Sequence, residues 1–351
     1  MITPETAERL LYDLVAIPSP SHEEAAAVRY LVDWMAAQGY DEAYVDAAGN
    51  AVGIIGRGER EIVLLGHIDT FGGFPTPHID GARRLYGRGA VDAKGALCTF
   101  AVAALRASLP DDLRVVVVGA VEEEAATSKG ARHIAAQFTP ELCIIGEPSN
   151  WDRITLGYKG RLVLSWSWSG ALAHSAADTP SAPERAFAYW ARVQAYCAAF
   201  NDGRESPFAR LLPRLQAIHS DDDGVHGRAE MTVGFRLPPD LSPPDVLDAL
   251  GEDGDARIAC YGAEQTVVAE RDSVLTRALR GAIRAEGGKP RFVYKTGTAD
   301  MNVVAPVWGC PIVAYGPGDS ALDHTPDEHI HLDEYQQAIN VLADALGRLG
   351  G

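Results

Sequence analysis

The chain has 351 residues, 47% of them apolar and 23% charged, enough for one large or two medium domains around a real hydrophobic core. Its 48 acidic residues outweigh 31 basic ones, and the net charge of −17 argues against nucleic acid and anionic membranes as partners. There is no apolar run near the ~20 residues that span a bilayer, and the opening Met1-Ile2-Thr3-Pro4-Glu5 is too acidic for a signal peptide. Five scattered cysteines with no Cys-x-x-Cys pair read as reduced thiols of a cytoplasmic protein.

Thr3-Pro4 is a cap followed by proline at the first helical position, and Ala7, Leu10, Leu11 and Leu14 form one apolar face. Pro18-Ser19-Pro20 stops that helix. Ser21-His22-Glu23-Glu24 has the pattern of a capping box, opening a second helix that buries Val28, Leu31, Val32 and Met35. Short apolar runs follow at Ala51 to Ile55, Ile62 to Leu65, Val115 to Val118 and Leu142 to Ile145, bounded by glycine or charge. They suit buried strands, so the spacing predicts an α/β/α domain with a mostly parallel sheet.

From Tyr158 the pattern changes. Arg161 to Trp168 alternates as a strand, Glu184 to Phe200 is helical, strands surround Leu215 and Met231, a helix lies near Val246 and a strand near Ile258. This βαββαβ order marks a smaller α+β domain inserted over residues 158–268. Ser273 to Ala285 resumes helix and Ile312 to Tyr315 resumes strand, so the first domain is expected to be discontinuous, 1–157 with 269–351.

The chemistry follows the strands. His67-Ile68-Asp69 comes directly after Ile62 to Gly66, Glu122-Glu123-Glu124 after Val115 to Val121, and Glu147 after Leu142 to Gly146. In an open α/β sheet, groups at the carboxyl ends of strands converge on one edge. Asp92 after Gly87-Arg88-Gly89-Ala90-Val91, and His324 in Asp323-His324-Thr325-Pro326, add to the set. Carboxylates at this density must take up protons unless a cation neutralises them. Nitrogen and oxygen donors without sulfur suit zinc, with cobalt or manganese as substitutes. Gly87-x-Gly89 is not a dinucleotide loop, because Asp92 stands where the third glycine would be.

Gly66-His67-Ile68-Asp69-Thr70, Gly87 through Gly95, the adjacent glutamates, Gly146-Glu147-Pro148 and the late His324 together resemble the dinuclear zinc aminoacylases, deacetylases and carboxypeptidases, in order along nearly the whole chain. The resemblance implies a catalytic domain carrying two zinc ions per chain (cobalt able to substitute), and an inserted lid that pairs subunits into a homodimer. It implies His67 and Glu147 on one metal, Glu124 and His324 on the other, Asp92 bridging, Asp69 steadying the His67 ring through its other nitrogen, and Glu123 as general base. His174 matches a lid histidine that reaches the neighbouring subunit's site. The family usually shows Asp-Glu-Glu where this chain has three glutamates. A register one residue earlier, with Glu122 as base and Glu123 as ligand, is the alternative.

Gly146 to Trp151, Lys295 to Asn302 and Tyr315 to Pro326 look like the branch that releases lysine, or ornithine, from the C-terminal glutamate γ-carboxyl of a small acidic amino-group carrier protein, LysW. That resemblance implies Thr298, Asp300 and Asn302 as substrate contacts. The rival enzymatic reading is a small-molecule deacylase acting on acetylornithine, acetyl amino acids or succinyl-diaminopimelate. A metal-binding scaffold without hydrolysis is a third reading, disfavoured by the presence of Glu123 beside all five ligand candidates. An acidic enzyme for an acidic carrier calls for a local basic patch, with Arg204, Arg210, Arg214 and Arg228 as candidates by clustering.

Overall fold

In the computed structural model, which describes residues 2–349, the first helix, α1 (Pro4–Val15), starts where the Thr3 hydroxyl accepts the Thr6 amide. It buries Ala7, Leu10, Leu11 and Leu14, the face its spacing predicts. The second, α2 (Ala25–Gln38), departs from expectation: Glu24 occupies the cap position without a side-chain cap bond. Ser21 sits farther out and gives its hydroxyl to Asp69 instead. Then come β1 (Glu42–Val45), β2 (Ala51–Ile55), β3 (Arg60–His67), β4 (His78–Ile79), β5 (Arg84–Tyr86), α3 (Lys94–Arg106), β6 (Leu113–Ala120), α4 (Lys129–Gln137), β7 (Leu142–Gly146) and β8 (Arg153–Tyr158).

The chain next forms β9 (Gly160–Ala171), α5 (Ala182–Phe200), β10 (Leu212–Asp222), β11 (His226–Leu237), α6 (Pro243–Leu250), β12 (Arg257–Glu264) and β13 (Val267–Val268). It continues as α7 (Val274–Ala285), β14 (Arg291–Lys295), α8 (Met301–Trp308), β15 (Ile312–Ala314), β16 (His329–His331) and α9 (Leu332–Arg348). Two compact units result. One runs up to Gly157 and resumes over Ala269–Tyr294 and from Ala299 onward; the other is Tyr158–Val268 with Lys295–Thr298.

In the first unit the sheet order is β1-β2-β6-β3-β7-β15-β8, with β14 beside β8. Its centre, β6-β3-β7-β15, is parallel, and antiparallel pairings lie outside it. Ile62, Leu64, Val115, Val117, Leu142, Ile144 and Val313 share a core with α1, α3, α7 and α9. Packing of α4 with α8, β6 and α8 with β15 covers the other face. Buried on both faces, these strands are continuous Val/Ile/Leu runs. A small sheet, β16-β5-β4, stands apart from this one.

The second unit is a four-stranded antiparallel sheet, β10-β11-β9-β12. Leu162, Leu164, Trp166, Met231, Val233 and Phe235 on one face pack with Ala186, Tyr189 and Val193 of α5 and with Val246 of α6. The alternation in β9 and β11 that reads as strand in the sequence is this division into a packed and an open face. Among the described residues no helix is long and apolar enough to cross a membrane.

Candidate metal centre

The parallel register levels three strand ends. His67 of β3 lies opposite Ala120 of β6, and Gly66 opposite Gly146 of β7. The chain therefore leaves the sheet at one edge as His67, as the turn Val121 to Glu124 and as Glu147. Gly146 has no room for a side chain: a Cβ there would stand 2.9 Å from the Gly66 Cα and from the Phe100 ring. Asp92 arrives from the turn before α3, where the Asp92–Ala93 peptide is cis.

Two groups of donors form. Ligand atoms of His67, Glu123 and Glu147 lie within 4.8 Å of one another, as do those of Asp92, Glu124 and His324. Asp92 stands between the histidines, Oδ1 3.2 Å from His67 Nε2 and Oδ2 3.1 Å from His324 Nε2. His324 Nε2 is also 2.8 Å from Glu124 Oε1, and His67 Nε2 is 3.9 Å from Glu147 Oε1. The His324 ring stacks on Phe71, centroids 4.5 Å apart.

His67 Nδ1 lies 2.9 Å from the main-chain carbonyl of Asp69, so it carries the proton and leaves Nε2 aimed at the cluster. The sequence assigns this task to the Asp69 carboxylate. That group also faces the ring, 3.5 Å from Nδ1, and it has further partners. It accepts the Ser21 hydroxyl at 2.7 Å and the amides of Glu123 and Glu124 at 3.1 and 3.0 Å. Asp69 thus fixes the glutamate turn with its side chain and faces the His67 ring with both its backbone carbonyl and its carboxylate.

Glu122 belongs to neither group. At φ 60° it turns its carboxylate the other way, onto Thr127 Oγ1 at 2.7 Å, with His22 and Lys129 at 3.4 and 3.6 Å.

Burial is the main force that raises the Glu123 carboxyl well above the ordinary range; nearby Glu147, Asp300 and Glu124 raise it further against the pull of His67. Glu147 is raised in the same way, by burial first and then by Asp92, Asp323 and Asp300, against His67. Burial also opposes ionisation of Asp92, but hydrogen bonds from His324 and His67 overcome it and depress its pKa. The His67 imidazole resists protonation through burial, yet Asp69 and Asp92 raise it well above the usual value. Hydrogen bonds to Asp92 and Glu124 push His324 up to about 10. Carboxylates crowded in this way are the kind that bound cations neutralise. Nitrogen and oxygen donors without sulfur, His67, Asp92, Glu124, Glu147 and His324 with Glu123 beside them, fit two divalent ions.

Support for this arrangement comes from residues to which the sequence gives no part in the site. Glu328, 1% exposed, accepts the amides of Val91 and Asp92 at 3.0 and 3.1 Å and the Arg88 guanidinium at 2.7 Å. The only signal for it is its place four residues past His324. Glu24 accepts the Glu122 amide at 3.2 Å. Buried Lys94 donates to the carbonyls of Leu14 and Ile17, tying the start of α3 to the end of α1.

The residues expected to contact substrate part company. Asp300 is buried at the head of α8, and its charge is felt by Glu123 and Glu147. Asn302, also buried, accepts the Ala299 amide in its own turn. Thr298 belongs to the second unit, donating to the Lys159 carbonyl at 2.8 Å and accepting from Arg236 at 2.6 Å. His174 is exposed in the second unit, and its Nδ1 accepts the Ala176 amide.

Residues 63–348 match peptidase family M20/M25/M40. The chain is 48% identical to a LysW-lysine hydrolase of Deinococcus radiodurans, across 99% of this chain and 98% of that one. In fold it is similar to an M20-family metallo-carboxypeptidase of Sulfolobus solfataricus, TM-score 0.77 at 17% identity, covering 98% of this chain and 99% of that one. A dinuclear metal-binding peptidase of Bacillus subtilis gives a TM-score of 0.69 at 13% identity, covering 98% and 97%.

Proposed function

The chain belongs to peptidase family M20/M25/M40, and from that membership we propose that it is a dinuclear metal amidohydrolase that releases lysine from the C-terminal glutamate γ-carboxyl of the carrier LysW. The observation that carries the substrate is the full-length likeness to a LysW-lysine hydrolase. Ornithine attached in the same way is a second substrate on this reading.

His67 and Glu147 would hold one ion, Glu124 and His324 the other, and Asp92, with one oxygen toward each histidine, would bridge them. Two zinc ions held there, or cobalt in their place, would supply Lewis acidity for the scissile carbonyl and the attacking water. Glu123 takes a proton from that water and passes it to the departing α-amine. The surroundings of Glu122 favour this register over the earlier one, which would require its carboxylate to leave Thr127, His22 and Lys129.

Asp300 offers a buried carboxylate for the ammonium of the lysine tail. Thr298 and Asn302 complete the proposed substrate contacts. We assign Tyr158–Val268 as lid and dimerisation domain of a homodimer in which His174 of each chain stabilises the oxyanion in its neighbour's site. Five free thiols suit the reducing cytoplasm, where we place the enzyme.

The test is to offer the purified enzyme carrier-lysine, carrier-ornithine and acetylornithine side by side and to compare kcat/KM. The carrier conjugates should be hydrolysed far more efficiently. Acetylornithine turned over as well as either conjugate would replace the proposal with a small-molecule deacylase.

A further inference from the structure

The two histidines of the metal centre are held by different means. His67 lies buried at the end of β3, and its Nδ1 faces the Asp69 carbonyl at 2.9 Å and the Asp69 carboxylate at 3.5 Å. A bond of that kind fixes both the tautomer and the plane of a ligating imidazole. His324 has no counterpart. It stands on the loop between β15 and β16, at φ 61°, with its side chain 41% exposed. Its contacts with Asp92 and Glu124 both fall on Nε2, and among the described residues none is hydrogen-bonded to Nδ1. Those Nε2 contacts are the ones a bound ion would replace. With the ion in place, something else must keep the ring from turning about its Cβ–Cγ bond, and ordering a loose side chain costs entropy.

The group that bears on the ring is Phe71. The two rings stack with centroids 4.5 Å apart and planes within 11° of parallel. Phe71 comes directly after Asp69-Thr70, so the stretch that steadies His67 also carries the ring that lies on His324. The Arg88 guanidinium lies over the same phenyl ring, 6.0 Å from its centroid, and is buried in its pair with Glu328. Beyond Phe71 the loop is loosely packed: a Cβ added at Gly72 or Gly73 would meet no protein atom nearer than 3.8 Å. Phe71 itself is half exposed. A ring so placed adds little to folding, whereas a stack of this geometry fixes the plane of its neighbour.

We propose that Phe71 is the positioning residue of His324, setting the imidazole plane by stacking where Asp69 sets that of His67 by hydrogen bonding. The inference rests on the dinuclear reading of the site. It makes the two ions unequal. His67 is pinned from within the fold, while His324 depends on one aromatic contact at the surface. The ion that His324 shares with Glu124 is therefore the one that answers to Phe71. With the ring already in plane, less of that ion's binding energy goes into ordering its ligand.

Phe71→Leu keeps apolar bulk and removes the ring face, and Phe71→Tyr keeps the ring. Both are titrated as metal-free protein with zinc by calorimetry, and their cobalt-loaded forms are compared by visible absorption. His324→Ala, titrated alongside, marks which binding event belongs to the second ion. The wild type should take two ions. Phe71→Leu should weaken the His324 ion about 10-fold or more and leave the other within about twofold. Phe71→Tyr should stay within about threefold of the wild type at both. The cobalt spectrum should change in the leucine variant and not in the tyrosine variant, with Tm near that of the wild type in each. Unchanged binding of both ions in Phe71→Leu, or equal weakening of the two, would overturn the proposal. So would a tyrosine variant as weak as the leucine one, or a leucine variant that fails to fold, which would make Phe71 a part of the fold. A wild type that takes fewer than two ions would sink the dinuclear reading itself, and this inference with it.

Discussion

Glu122, Glu123 and Glu124 are neighbours of one chemical type, and the turn they occupy gives them three surroundings. Only Glu123 and Glu124 enter the two donor groups, while Glu122 is held by Thr127, His22 and Lys129. Glu123→Gln keeps the shape and removes the base, so kcat should fall ~10²–10⁴-fold with metal content unchanged. Glu124→Gln should lose metal instead, and Glu122→Gln should do neither. Metal analysis beside steady-state kinetics separates the three. Should the Glu122 change abolish turnover, the register assigned here is wrong by one residue. Asp300 makes a second prediction: Asp300→Asn should cost more than tenfold in kcat/KM on carrier-lysine and far less on carrier-norleucine, whose tail is uncharged. Equal losses would make Asp300 a support of the site and not a reader of the tail. His67, Glu123, Glu124 and Glu147 were legible in the sequence because they follow buried apolar runs, whereas Asp92 and His324 stood out only by the motifs around them. Ser21 was not legible, since its spacing to Glu24 imitates a capping box while its hydroxyl serves Asp69, 48 residues on. Contacts so distant in the chain leave no periodic trace.

Among the elements, the turn that delivers Asp92 depends on a partner from the far end of the chain. Glu328 receives two amides of that turn and the charge of Arg88, with both side chains almost wholly buried. Removing one partner of a buried pair typically costs ~3–5 kcal/mol, because the remaining charge is left uncompensated. Glu328→Gln should therefore lower Tm, and it should reduce metal occupancy even where the protein stays folded, as calorimetry and metal analysis would reveal. Unchanged metal occupancy in a folded variant would confine Glu328 to stability. The central strands and α1, α2, α5 and α7 could be read from apolar period, whereas α3 and α9 were not. The small sheet of β4, β5 and β16 could not, for strands of two or three residues are too short to show one.

For the whole molecule, metal dependence and subunit pairing are the tests. Exhaustive chelation should abolish hydrolysis, and zinc or cobalt should restore it; full activity of metal-free enzyme would refute the dinuclear assignment. If His174 serves the neighbouring chain, mixing inactive Glu123→Gln chains with inactive His174→Ala chains should recover about a quarter of wild-type activity at equal proportions, since half the dimers are mixed and each of those holds one intact site. Verified subunit exchange without recovery would place His174 outside its neighbour's chemistry. Composition indicated the acidic surface, but only the pairing of β10, β11 and β9 gathers Arg161, Arg214 and Arg236, which stand far apart in the sequence.

The discontinuity of the first unit orders events at the ribosome. His67, Glu123 and Glu147 are all made before the second unit, whereas Asp92 and Glu124 must wait for His324, beyond it. At ~5–20 residues per second, roughly ten to thirty seconds of translation separate Glu147 from His324. During that interval the nascent chain carries His67, Asp92 and Glu147, the proposed holders of the first ion, while the second group lacks its histidine. On the proposed assignment, synthesis thus stages the site: the ligands of the first ion all precede the second unit, and the second ion lacks one until His324 is added.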